Sequence, residues 1–146
     1  MIILEKLILL RGVTLFKKVS DELLAEIANY AEEERVQPGE YIIKKGELGD
    51  ALYIIVAGRV GVMDENKLLA EFGSHQIFGE IAFLSPEPRT ASVVALEECL
   101  LLKLRRQDLF DNFGLDVNLS IGIIDELCQR MRDMAKQIQD LAKKSS

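Results

Sequence analysis

The sequence predicts a mainly β domain, a sandwich or barrel of short strands with helices at both ends. Three observations carry this. From Pro38 to Gly73 short apolar runs alternate with turns marked by Gly, Pro and Asn. A second pair of apolar runs lies in TASVVALEECLLLKL, with a turn near Glu97-Glu98. Both ends of the chain carry apolar residues at helical spacing instead.

The elements follow in order. Ile2 to Leu10 is dense enough in apolar residues for a short helix packed on something else, and Gly12 ends it. Ser20 is an N-cap with Glu22 in the first turn; Leu23, Leu24, Ile27, Ala28 and Ala31 keep helical spacing behind it. Pro38-Gly39 is a turn, and EYIIKKG a strand with Tyr41 and Ile43 on one face. GELGD, from Gly46 to Asp50, is a tight glycine-bounded turn. ALYIIVAG is a continuous apolar strand broken at Gly58, and RVGVMDE alternates after it. Asp64 to Asn66 forms a hairpin tip from which LLAEFG returns. RRQDLFDNF is a short helix, which Gly114 separates from a long one running from near Asp116 to about Lys143. In the long helix Ile124, Leu127, Met131, Met134, Ile138 and Leu141 repeat in an a/d heptad pattern. Such a stripe lies on its own domain or forms a seam between two chains. The seam is preferred, because the outer half of the helix has no further sequence to pack against.

Bulk properties bound the function. The 146 residues suit one domain, 1–146, with 116–143 as a C-terminal dimerisation or lid helix. The net charge of −6 and a pI near 4.9 argue against broad binding to a phosphate backbone, so no nucleic acid is expected for this chain alone. Cys99 and Cys128 stand far apart without a CxxC, as free thiols of a reducing compartment do, and a cytoplasmic location is expected. No apolar run spans a membrane, and MIILEKLILLRG lacks the basic start and small-residue cleavage site of a signal peptide. His75 is the single histidine, and neither G-x-S-x-G nor a metal-ligand cluster is present. The chain therefore reads as a binding domain, with no metal, no cofactor and no catalytic residue.

One stretch asks for a ligand: FGEIAFLSPEPRTASV, from Phe78 to Val93. A helical turn after Phe78-Gly79 would aim N–H groups, from about Ile81 and Ala82, at one spot, and helix N-termini attract anions. Arg89 reaches the same region with a planar fork suited to phosphate oxygens. Glu80 repels a phosphate and suits a sugar hydroxyl beside it. On residue types alone the preferred reading is a Glu80–Arg89 ion pair tying a turn to a strand, because ion pairs are common and nucleotide sites rare.

This segment closely resembles the phosphate-binding cassette of the cyclic nucleotide-binding domain family, whose pattern is roughly F-G-E-hydrophobic-small, then P-R-small-A-[ST]-V. The family includes regulatory subunits of cyclic-AMP-dependent protein kinase, cyclic-GMP-dependent kinase, hyperpolarisation-gated channels and the bacterial catabolite activator. VQPGEYIIKKGELGDALYIIVAGRVGV resembles the family's first strands, and the likeness runs from about Leu4 to Met134. It implies an eight-stranded β-roll (jelly-roll), interrupted by a helical turn at about Glu80–Leu84 and flanked by N-terminal helices and the two C-terminal ones. It also implies a ligand, cyclic AMP or cyclic GMP, held by Gly79, Glu80, Ile81, Ala82, Arg89, Thr90 and Ala91. In that reading Gly79 and Glu80 take the ribose 2′-hydroxyl, Arg89 the exocyclic phosphate oxygens, and the N–H groups of Ala82 and Thr90 complete the cradle. Threonine after the arginine goes with cyclic GMP in the kinase branch, yet the channel branch shares RTAS and prefers cyclic AMP. Closure would move the short helix about a hinge at Gly114, swing the long helix over the base, and bring a residue near Leu127 or Cys128 onto the ligand. Two positions depart from the pattern: His75, where members often carry glycine, and Glu87, an acid beside the phosphate site. A docking module that has lost its ligand stays open as an alternative, as does an effector fragment of a transcription regulator, channel or transporter.

Overall fold

A computed structural model describes residues 1–80, 83, 86–113 and 116–145. The chain starts with helix α1 (Ile3–Arg11), a 3-10 turn (Thr14–Phe16) and helix α2 (Asp21–Tyr30). Ser20 caps α2 as expected: its Oγ accepts from the Leu23 N–H at 3.2 Å. Leu24, Ile27 and Ala28 form the buried face of α2.

Two four-stranded antiparallel sheets make the roll. One runs in the order β1 (Glu32–Val36), β10 (Cys99–Arg105), β4 (Ala51–Ala57), β7 (Ile77–Phe78). The other runs β2 (Tyr41–Ile43), β9 (Ser92–Ala95), β5 (Val60–Asp64), β6 (Lys67–Phe72). A two-stranded ribbon, β3 (Leu48–Gly49) with β8 (Glu87–Pro88), joins them near the cassette. The expected eight strands are thus the two sheets, and the ribbon is an addition that its two-residue strands hide from any pattern search. β5 and β6 meet at Glu65 and Asn66, both with positive φ (50° and 68°), the twist that a two-residue hairpin loop requires.

The continuous apolar run at Ala51–Ala57 has a physical reason, since both faces of β4 are covered. Leu52 and Ile54 join Leu102 and Leu104 of β10 under the helices, in a core with Leu10, Phe16, Leu24 and Ile27. Ala51, Tyr53 and Ile55 point the other way, into the roll, with Val60, Phe78, Val93 and Leu101. Alternation of side chains along a strand sorts one apolar run into two cores.

One expectation needs correction, and one strand was not expected. Tyr41 and Ile43 do not share a face: Tyr41 is 57% exposed and Ile43 only 7%. The register between β2 and β9 shifts between them, and the irregularity turns the strand. The segment EEERV is a strand, β1, although its acids argue against one. It lies at the edge of its sheet, where Glu34 and Glu32 pair across to Lys103 (3.6 Å) and Arg105 (3.1 Å) of β10.

After β10 come helix α3 (Arg106–Phe113) and helix α4 (Val117–Ser145). Asp116 caps α4, its Oδ1 accepting from the Leu119 N–H at 2.9 Å. The first turns of α4 press on the 3-10 turn, with Leu119 and Gly122 buried there. The helix then runs on past the roll as far as Arg130, and from Met131 onward its described residues are exposed. Ile124, Met131, Met134, Ile138 and Leu141 are all more than half exposed, while Leu127 is intermediate. Both cysteines are free: Cys99 is buried and Cys128 exposed.

Candidate functional site

The cassette runs from the end of β7 through β8 to β9, and its residues line a cavity of about 270 Å3. The floor is apolar: Ile43, Val62, Phe72, Phe78 and Val93, contributed by strands of both sheets. Gly79, Glu80, Glu87, Pro88, Arg89, Thr90 and Ala91 form the wall, and Arg130 reaches in from α4. Apolar walls with a few convergent polar groups are what a small-molecule site requires.

Gly79 ends β7 with φ +84°, and a Cβ there would stand 2.6 Å from the Ala51 carbonyl oxygen. Only glycine fits that backbone and that gap. The Phe83 N–H donates to the Gly79 oxygen at 3.1 Å, a helical bond, and Glu80 and Phe83 are both helical. Ile81, Ala82 and Leu84 lie outside the described residues, as does Gly114, so the two N–H donors and the hinge assigned to them do too.

Arg89 follows β8 and is half-buried. One guanidinium nitrogen donates to the Ala51 oxygen at 3.2 Å. Burial works against its charge, while Tyr53, Asp50 and Glu80 favour it. The remaining donors of the fork have no hydrogen-bond partner among the described residues that would compete with an anion. Glu87 lies on β8, exposed at the rim.

Glu80 is 5% exposed, and its partner is not Arg89. Oε1 of Glu80 lies 3.1 Å from Nε of Arg130, which also meets Oε1 of Glu126 at 3.2 Å. The ion pair that the cassette alone allowed is therefore replaced by one to α4, with a second acid on the same nitrogen. Neither Leu127 nor Cys128 lines the cavity; Arg130, one turn further on, does. Burial pushes the Glu80 carboxyl above the usual carboxylate range, and the Arg130 guanidinium pulls it back in part.

That shift has a sign that can be tested. With a raised folded value, the folded chain holds a proton that the unfolded chain has released, across the window just above the ordinary carboxylate range. Stability contributed by Glu80 therefore falls as pH rises through that window. Melting curves of the chain and of Glu80→Gln between about pH 4.5 and 7 are expected to differ least at the acidic end. An equal difference at every pH would contradict this.

His75 carries φ +69°, so the position often held by glycine does use a left-handed backbone. Its N–H donates to Ile55 O at 2.6 Å, and the Gln76 N–H to Gly73 O at 3.1 Å, which locks the turn before β7. Among the described residues no group of three or more His, Cys, Asp or Glu side chains is placed to hold a metal ion, and no helix is long and apolar enough to cross a membrane.

Comparison with known proteins places this geometry. A family model described as the cyclic nucleotide-binding domain matches residues 33–113, from β1 to the end of α3 and across the whole cassette. The chain is 41% identical over 91 residues to a cGMP-dependent protein kinase of Toxoplasma gondii, covering 62% of this chain and 9% of the kinase. It is 39% identical over 100 residues to a cyclic nucleotide-gated potassium channel of Rhizobium etli, covering 68% of this chain and 28% of the channel. The chain thus corresponds to less than a third of either relative. Its fold is similar to the N-terminal domain of a transcriptional regulator from Streptomyces coelicolor A3(2), with a TM-score of 0.73 and 27% identity over 89% of this chain and 94% of that one. A roll of two four-stranded sheets, a glycine-glutamate-arginine cassette on its inner wall and a family match across more than half of the residues lead to one conclusion: the chain belongs to the cyclic nucleotide-binding domain family.

Proposed function

We propose that this chain is a non-catalytic, cytoplasmic sensor domain that binds cyclic AMP or cyclic GMP in the cavity under the cassette. The observation that carries this is the pairing of a half-buried Arg89, with guanidinium donors to spare, and a buried carboxylate, Glu80, on one wall of an apolar cavity. A compact anion joined to a hydroxylated ring satisfies both groups at once; a phosphate alone would leave Glu80 repelling it. Arg89 takes the exocyclic oxygens, Gly79 and Glu80 the ribose hydroxyl, Thr90 and Ala91 the near edge of the cradle, and the apolar floor the base. The cassette N–H groups of Ile81 and Ala82 belong to the same proposal. In this reading the ligand is held and released unchanged.

Signal output runs through α4. A ribose hydroxyl that bonds Glu80 competes with Arg130 for the carboxylate, so occupancy of the cavity and the position of α4 are linked. A ligand shifts α4 only by its difference in affinity for the two helix positions.

The exposed heptad stripe of Ile124, Leu127, Met131, Met134, Ile138 and Leu141 supports a homodimer through parallel α4 helices. Burying it is worth several kcal/mol at about 25 cal/mol per Å2, before association costs are subtracted. Met131→Glu is expected to convert a dimer to a monomer in sedimentation equilibrium without lowering nucleotide affinity tenfold. A monomeric parent chain at high micromolar concentration would contradict the seam.

One observation favours a second reading. The Arg130–Glu80 pair gives the carboxylate an internal partner, so Glu80 can serve only to fasten α4 to the roll, in a docking module of the same fold. Titration with both nucleotides separates the two readings, because a docking module takes up neither.

A further inference from the structure

We infer that Gly49 is a positioning residue for Arg89: its missing side chain is the space in which the guanidinium is aimed at the phosphate. The inference rests on the nucleotide reading above and adds a residue that no ligand touches.

The backbone of Arg89 is clamped on both sides by the turn that precedes Gly49. The Arg89 N–H donates to Glu47 O at 2.8 Å, and the Gly46 N–H donates to Arg89 O at 2.8 Å. Leu48 pairs with Pro88 and Gly49 with Glu87 in the β3–β8 ribbon. The ribbon therefore sets where the Arg89 side chain begins. The far end of that side chain lies flat against Gly49, so that a Cβ at position 49 would overlap the Nε and Cζ atoms of Arg89. Gly49 is absent from the residues with positive φ, so an alanine adopts its backbone without left-handed strain, and the three atoms nearest to that Cβ position all belong to the movable tip of Arg89. Gly79 differs on both counts, with its positive φ and with the Ala51 carbonyl oxygen 2.6 Å from where its Cβ would stand.

Gly49→Ala is consequently a probe that moves the guanidinium and leaves the roll intact. A fork displaced from its direction loses one of its paired bonds to the phosphate oxygens and its bond to Ala51 O. Affinity for cyclic nucleotide is expected to fall about tenfold. The melting point without nucleotide stays level or rises, because alanine restricts the unfolded chain.

The experiment uses the full chain, Gly49→Ala, Arg89→Ala and the double variant. Each is titrated with cyclic AMP and cyclic GMP by calorimetry, and by thermal shift at millimolar nucleotide where heats are small. The Arg89 Nε–H signal in a nitrogen–proton spectrum, identified by its loss in Arg89→Ala, reports the side chain directly. The expected results are a tenfold loss in Gly49→Ala, less than about a twofold further effect in the Arg89→Ala background, and a displaced Nε–H signal. Parent-like affinity of Gly49→Ala, an undiminished loss in the double variant, or an unmoved Nε–H signal each overturns the inference. A melting point that falls in proportion to affinity overturns it too, since that is what a merely structural glycine would give. If the parent binds neither nucleotide the function proposed above fails, which is distinct from a parent that binds and a Gly49→Ala variant that binds equally well.

Discussion

Arg89→Ala is expected to weaken cyclic nucleotide binding by about 2–4 kcal/mol, at least tenfold in affinity. The substitution removes the planar donor fork that faces the cavity, and among the described lining residues the other cation, Arg130, is already engaged by Glu80 and Glu126. Stability without nucleotide should change little. In the fold Arg89 contributes one hydrogen bond, to Ala51 O, worth about 1 kcal/mol net. Its guanidinium pairs with no carboxylate among the described residues, so its loss strands no buried charge. Thermal shift with and without nucleotide checks this. The parent should be stabilised by millimolar ligand and the variant much less. Equal stabilisation of both would place the ligand away from Arg89, and a large drop in the unliganded variant would make the arginine a structural tie instead.

Gly122→Ala should lower the melting point by several degrees, the reverse of what helix propensity predicts. A glycine inside a helix costs roughly 1 kcal/mol relative to alanine, so on an exposed surface the change would stabilise. Here the helix lies directly on the 3-10 turn. A Cβ at position 122 would overlap the Leu15 carbonyl oxygen and stand 2.8 Å from the Leu15 carbonyl carbon. Both are backbone atoms of a buried turn and cannot swing away. α4 must then lift, pulling Leu119 from the core it shares with Leu15 and Phe16. Overpacking of this kind costs about 1–3 kcal/mol. The same lift carries Arg130, two turns along α4, away from Glu80, so the variant should also show a weakened coupling of Glu80 to α4. Differential scanning calorimetry of the parent and variant checks it. A melting point equal to or above the parent's would mean that α4 does not bear on the turn.

The parts of the fold that were legible in the sequence are those in which local chemistry and global packing agree. Ser20 and Asp116 mark helix starts by what their side chains can accept, and the structure uses both for that purpose. ALYIIVA reads as a buried strand because both of its faces are covered. β1 was not legible, because its acids are stabilised only by Lys103 and Arg105, far along the chain. The bulge at β2 was equally hidden, since alternation along three residues cannot reveal a register shift.

The site divides in the same way. Glu80 and Arg89 stood out because a buried-looking segment carries two charges close together. Their partners did not, since Arg130 sits 50 positions after Glu80 and meets it only when α4 folds back over the roll. Helical spacing did offer one signal: Glu126 and Arg130 stand four apart on the long helix, on a face away from the heptad stripe. Gly49 offered less, being one of several glycines in turn-like sequence; the guanidinium over it and its ordinary φ, against +89° at Gly46, are what separate the two.

Calorimetric titration of the chain with cyclic AMP and cyclic GMP, in parallel with Arg89→Ala, tests the central claim most directly. The account predicts saturable binding of at least one nucleotide to the parent, one per chain, and a loss of tenfold or more in the variant. A folded parent that takes up neither nucleotide at millimolar concentration would contradict it, and would leave the cassette as a structural relic that fastens α4 to the roll.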